Sequence, residues 1–282
     1  MLAILGILIV FGAVIGGFML ENGPVQVLYQ PAEFSIIFGS LLGAFCIGSS
    51  RAMLGQVLRS VRLVLSMRHY DKATYLELLS LLSVLFTKIR REGVSSVEID
   101  IEHPDRSLLF DTHPRLSADT EVVRFICDTM RVFMTTGDQL EVERLMKNDM
   151  EVMLDQAQGT AEMLSRMAES LPGLGIVAAV LGVILTMGQI SAPPEILGHS
   201  IGAALVGTFL GVLFCYGVVG PMSIKLENLA QERNAYFNVI KAAITAAVSG
   251  SNPIMAAENG RRAIPLDVRP TFDEMENIVR KR

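Results

Sequence analysis

The sequence predicts an all-α integral membrane protein, with four transmembrane helices joined to a large helical cytoplasmic domain. Three observations carry this. Of the 282 residues 51% are hydrophobic and 19% charged. The apolar residues gather into long blocks instead of alternating along the chain. The 24 Lys and Arg residues all fall on one side of those blocks.

Span one, residues 2–20, has nineteen residues without a charge, and span two, residues 34–50, has seventeen following Glu33. At about 1.5 Å per residue each just crosses about 30 Å of hydrocarbon. No Lys or Arg precedes the first run, whose first charge is Glu21, so it reads as a retained span and not as a secretory signal. Twenty-five uncharged residues separate Glu169 from Glu195, and another twenty-five separate His199 from Lys225; these are spans three and four. Residues 78–87 hold only ten uncharged residues between Glu77 and Lys88, too few to cross, and read as the core of a cytoplasmic helix.

Orientation follows from the cations. Residues 21–32 and 191–200 contain no Lys or Arg, whereas 51–166 contain fifteen and 225–282 contain nine. The positive-inside rule then puts both termini and the long loop in the cytoplasm. The expected organisation is spans one and two in 1–50, a cytoplasmic helical domain in 51–168, spans three and four in 169–224, and a cytoplasmic helical tail in 225–282.

In residues 51–68, Leu54, Val57, Leu58, Val61, Val64 and Leu65 recur at helical spacing opposite Arg59 and Arg62. This suits a basic amphipathic helix near an anionic leaflet, and equally a plain extension of span two. Helical periodicity continues in 75–91, 119–134 and 141–166, punctuated by Gly93, Pro104, Pro114 and Gly137. The helix after span four is expected to run to Val248, where SGSNP stops it. A last short helix follows Pro270, with Thr271 as N-cap and Glu274 as its capping-box partner.

Several function classes are excluded. Cys46, Cys127 and Cys215 are odd in number and far apart, with no CxxC and no Cys/His cluster, so no disulfide framework, metal site or cofactor site is expected. The net charge of −5 is spread over segments of mixed sign, without the basic stripe of a nucleic-acid binder. No enzyme motif is present.

The chemistry that remains lies in spans three and four. Ala203, Gly207, Gly211 and Cys215 repeat every four residues, as do Ala178 and Gly182, which lets another helix approach closely. Thr186 and Thr208 place hydroxyls at membrane depth, either bonded to their own i−4 carbonyl or facing a pore. Pro172 and Pro221 fall at the cytoplasmic ends of the two spans, each as a coupling kink or as a passive helix feature. None of the four spans contains an ionisable residue and only Glu33 sits at an edge, so an ion pathway here needs a titrating group from a partner.

These residues resemble the MotA family, the larger subunit of the bacterial flagellar stator, over almost the whole chain. The resemblance rests on YQPAEFSIIFGSLLGAF at span two, DIEHP and PRLSAD in the loop, LPGLGIVAAVLGV in span three, LVGTFLGVLFCYGVVGP in span four and RPTF near the end. It implies a homopentamer in the bacterial inner membrane around two copies of MotB, a single-span, peptidoglycan-binding partner whose membrane aspartate carries the ion. The cytoplasmic domain would drive the rotor protein FliG. The resemblance assigns Arg90 and Glu98 to the rotor interface, Pro172 and Pro221 to coupling, Thr208 to the neighbourhood of the partner aspartate and Glu33 to assembly. Sodium-driven relatives carry threonine where this chain has Ala179, so the implied coupling ion is the proton.

Three other readings compete. A TolQ or ExbB type energiser of a periplasmic arm differs in span number and loop position. A passive membrane scaffold would use its spans only as anchors. A secondary transporter would show broken spans or a midplane charge, and neither is visible.

Overall fold

The computed structural model describes residues 2–65 and 70–280, and among them every regular element is helical. Four helices are long and apolar enough to cross a membrane. The chain divides into two compact units: Met1–Arg68 with Gln156–Asn228, and His69–Asp155 with Leu229–Arg282.

The first unit opens with α1 (Leu2–Leu20), which buries no residue. A helix apolar all round with nothing packed over most of it is suited to lipid. Helix α2 (Pro31–Gly48) starts on a proline that needs no N–H partner in the first turn. It buries Glu33, Ile37, Leu41 and Phe45, a single stripe of one residue per four. At Ser49 the backbone is extended (φ −122°, ψ 147°), so α3 (Arg51–Leu65) is a separate helix and does not continue span two. Val57 and Val64 of α3 are buried with Phe45, Ala161, Leu164 and Leu226, which uses part of its apolar face against protein. Leu58 and Arg59 remain exposed; the Arg62 side chain and residues 66–68 lie outside the described residues.

Helix α9 (Gln139–Met187) is one uninterrupted element of 49 residues with Pro172 in its interior. The simple helix-start alternative for Pro172 is thereby corrected: the helix begins 33 residues earlier, at Gln139. Helix α10 (Pro194–Phe214) passes through a π-helical turn, Cys215–Val219, into α11 (Gly220–Val248). Rings hold the remaining spans to α10: Phe214 meets Phe11 at 5.8 Å, Phe34 at 6.0 Å and Phe38 at 4.9 Å, all edge to face.

The second unit is built on α4 (Lys72–Glu92), whose LLSLLSVLF stretch is buried at Leu78, Leu79, Leu81, Leu82, Leu85 and Phe86, as expected for a core helix too short to span. Asp71 caps it by accepting from the Thr74 amide at 2.8 Å. Three short helices follow, α5 (Glu98–Glu102), α6 (Leu108–Asp111) and α7 (Pro114–Ser117). Next comes α8 (Thr120–Thr136), ended by Gly137 in the left-handed region at φ 64°. Phe125 of α8 meets Phe237 of α11 edge to face at 4.9 Å.

Helix α11 ends at Val248 as expected, but the segment after SGSNP holds a helix the sequence pattern did not reveal, α12 (Pro253–Ala263). Its packing face is Ala256, Ala257 and Gly260, small residues that give no hydrophobic periodicity. A Cβ at Gly260 would lie 3.0 Å from Leu79 Cδ2 and 3.1 Å from the Ala243 methyl, so close approach explains the glycine. Helix α13 (Phe272–Arg280) begins with the expected capping box. The Thr271 amide donates to Glu274 at 2.7 Å, and the Glu274 amide donates to the Thr271 hydroxyl at 3.2 Å.

Candidate functional site

Spans three and four meet through backbone. A Cβ placed on Gly175 would stand 2.7 Å from the Gly207 carbonyl, one on Gly211 2.5 Å from the Leu171 carbonyl, and one on Gly182 2.7 Å from the Ala204 methyl. No side chain larger than hydrogen fits at these points, which is how small residues allow helices to associate in lipid. The expected Gly207, Gly211, Ala178 and Gly182 are all in this contact. Gly175 joins them without having been anticipated, and Ala204, not its neighbour Ala203, meets Gly182.

Glu33 lies in the same contact. A Cβ on Gly207 would be 2.5 Å from Glu33 Oε2, and one on Gly182 would be 3.3 Å from Oε1. The residue is 7% exposed, and Oε2 is buried with no hydrogen-bond partner among the described residues. Sequence position alone put Glu33 at a loop edge; the structure puts it in the first turn of α2 with its carboxyl turned inward. The spacing of four from Ile37, Leu41 and Phe45 was the available signal.

The other span residues sort by contact. Ala179 is 8% exposed, and its backbone nitrogen is 3.1 Å from where a Gly207 Cβ would be. Thr186 donates to the Gly182 carbonyl at 2.9 Å, the ordinary bond of a span threonine. No hydrogen bond joins the Thr208 hydroxyl to a described residue, and Thr208 is only partly buried. Pro221 follows Gly220 directly after the π turn and is exposed.

Arg90 and Glu98 belong to the second unit. Arg90 is exposed near the end of α4, and Glu98 is exposed at the start of α5. No ion pair joins them among the described residues. The segment between them is fixed from below: Lys88 reaches Asp100 at 2.7 Å and the Ser107 hydroxyl donates to Asp100 at 2.5 Å. Arg90 and Arg91 border an open groove of about 980 Å³ that is also lined by Asn252, Pro253, Ile254 and Val279.

Motility protein A of Escherichia coli (strain K12) is 37% identical over 281 residues, covering 99% of this chain and 95% of that protein. The chain belongs to the MotA family. Residues 4–93 match the Motility protein A N-terminal family, and residues 117–239 match the MotA/TolQ/ExbB proton channel family. Chemotaxis protein LafT of Vibrio parahaemolyticus is 34% identical, covering 96% of each chain. Two solved structures share the fold of this MotA-family chain. The MotAB complex of C. jejuni matches with a TM-score of 0.80 at 18% identity over 95% of this chain and 98% of the other. The flagellar MotAB stator complex from Bacillus subtilis matches at 0.76 and 22% over 98% of each. The stretch that places this chain in the proton channel family, 117–239, contains both glycine-lined spans, and the MotA N-terminal match contains Glu33 and Arg90.

Proposed function

We propose that the chain is the multi-span subunit of a flagellar motor stator that forms a proton channel with a single-span partner and turns ion flow into rotor torque. The carrying observation is the interface of spans three and four: a glycine-lined contact in which neither span supplies an Asp, Glu, His, Lys or Arg. Beyond Glu33 at the head of span two, a titrating group for a proton path through such a bundle comes from another chain. The assembly is a homopentamer around a MotB-like, peptidoglycan-anchored dimer in the bacterial inner membrane. Both termini are cytoplasmic, and residues 51–168 and 225–282 form the cytoplasmic part. Thr208 faces the partner's acid, Glu33 seals the contact during assembly, Pro172 and Pro221 pass movement to the cytoplasmic part, and Arg90 and Glu98 meet complementary charges on a FliG-like rotor protein. With a methyl at Ala179 in place of an oxygen ligand, the coupling ion is the proton. The test is proton flux into vesicles containing this chain with and without its partner. Flux that requires the partner's acid is expected, and full flux from this chain alone would overturn the reading.

A further inference from the structure

We propose that Glu33 is a second proton-exchanging carboxyl of the conduction path, contributed by this chain on the outer side of the partner's acid. The proposal rests on the reading of the chain as a proton-conducting stator subunit, and it adds a step to that reading.

The argument begins with cost. Glu33 continues the Ile37, Leu41 and Phe45 stripe, whose other members are all apolar. Instead a carboxyl is 7% exposed with one oxygen wholly unpartnered. An unpaired charge buried in this way costs several kcal/mol or more, and even a neutral acid leaves a hydrogen-bonding group unsatisfied. A buried carboxyl oxygen without a partner at membrane depth marks a place where a proton or a water belongs. The room for it is made by absent side chains: the carboxyl lies where Gly182 and Gly207 would otherwise carry a Cβ.

The electrostatic surroundings are bare. Spans three and four carry no charged residue from 170 to 194 and from 200 to 224, and Glu33 is the one acidic or basic residue on α2. On the elements packed about it, the nearest in sequence are Glu21 at the end of α1, and Glu195 and His199 in the first turns of α10. No counter-ion among the described residues therefore explains the carboxyl. Positive-inside orientation puts the first turn of α2 toward the outside, and its carboxyl lies against Gly207, next to Thr208.

In the proposed step the Glu33 O–H passes its proton to water in the path, which hands one on to the partner's acid. The Glu33 carboxylate then takes a proton from outer water. One proton enters for each that leaves, and no bond other than O–H is made or broken.

The test uses the complete complex of this chain and its partner in liposomes, with Glu33→Gln, Glu33→Asp and, separately, the partner's acid replaced by its amide. Assembly is read by co-purification, and flux is read between about pH 5 and pH 8. Labelling of Glu33 by dicyclohexylcarbodiimide, an apolar reagent that adds to protonated carboxyls, is read by peptide mass spectrometry in the unsubstituted complex. We expect E33Q to assemble and lose about a hundredfold of the flux, the lower end of what removal of a proton-transfer group costs. E33D should keep part of the flux with a displaced pH profile, and Glu33 should be labelled less as pH rises. E33Q conducting at the original rate with the original pH profile overturns the proposal. If E33Q fails to assemble, labelling decides: a Glu33 that no pH makes reactive is only a packing group, whereas pH-dependent labelling supports exchange. Flux that survives loss of the partner's acid would instead defeat the stator reading, however Glu33 behaves.

Discussion

Glu258 offers the most quantitative perturbation in the second unit. It is 5% exposed on α12 and accepts from Arg261 Nε at 2.6 Å and Nη2 at 2.8 Å, and from Arg262 Nε at 2.8 Å. Arg261 also donates to the Pro270 carbonyl at 3.0 Å, which ties α12 to the start of α13. The Arg261 bonds, and after them those of Arg262, hold the Glu258 carboxyl below its ordinary 4.5, at about 2. A depressed carboxyl stabilises the fold in full above the unfolded value and loses that contribution as pH falls from about 4.5 toward about 2. A displacement of that size corresponds to about 3 kcal/mol. Glu258→Gln keeps the shape and removes the charge, leaving the partly buried Arg261 with a weaker acceptor, so a loss of about 2–3 kcal/mol is expected near neutral pH. Hydrogen exchange on the full chain in detergent reads it, as about a 30- to 150-fold faster exchange of α12 and α13 amides if they open together. The gap between the two proteins should close as pH is lowered toward about 2. Equal exchange at neutral pH, or a gap that persists in acid, would refute the reasoning. The perturbation also reaches the groove beside Arg90, because Asn252, Pro253 and Ile254 at the head of α12 line it.

Three further outcomes are expected. Gly207→Ala would set a methyl 2.5 Å from Glu33 Oε2 and 3.0 Å from the Ala178 methyl, so overpacking of about 1–3 kcal/mol should reduce recovery of the folded chain from membranes; unchanged recovery and flux would contradict the observed contact. Reversing both Arg90 and Glu98 should weaken swimming while leaving membrane insertion intact, with partial rescue by reversed charges on the rotor. Exposed pairs are worth about 0.2–1 kcal/mol each, so single reversals give small effects, and full swimming by the double reversal would reject the interface. Cells with this stator as their only one should swim at a speed indifferent to external sodium and collapse with a protonophore; speed that saturates with sodium would show that Ala179 does not set the ion.

What the sequence revealed follows from the kind of signal each element leaves. Spans announce themselves through the charges they lack, and α1 matches residues 2–20 end to end. Caps are equally legible, since Thr271 and Glu274 at the right spacing have few other uses. Helix α12 was hidden because Ala256, Ala257 and Gly260 pack by being small, a face that hydropathy does not register. Asn252 before Pro253 was the clue to its start, for the Asn252 side chain accepts from the Met255 amide at 2.8 Å. The glycine stripes pointed to close helix packing, while the choice of Ala204 over Ala203 depends on helix rotation, which a four-residue repeat leaves loose by one position. Arg90 and Glu98 look in sequence like any solvated turn, and their exposure does not distinguish them from Arg91 or Glu92.

The two span prolines show one constraint met in two ways. A proline inside a helix withdraws its N–H from the ladder and presses its ring against the carbonyl four residues back. Pro172 has Ala168 in that position, yet α9 runs through it without a break from Gln139 to Met187. Pro221 has Gly217, and here the chain widens first: Cys215–Val219 forms a π turn, in which the Gly220 amide bonds to the Cys215 carbonyl five residues back. Gly220 suits that turn because a Cβ there would stand 2.7 Å from the same carbonyl. The extra residue of a π turn supplies the slack that the ring of Pro221 needs, and it leaves a local register that a small rearrangement can pass along the helix. Span three therefore meets its proline within an unbroken helix, while span four meets its own beside a turn able to change register. Of the two, only span four has a backbone suited to absorbing a displacement beside its proline.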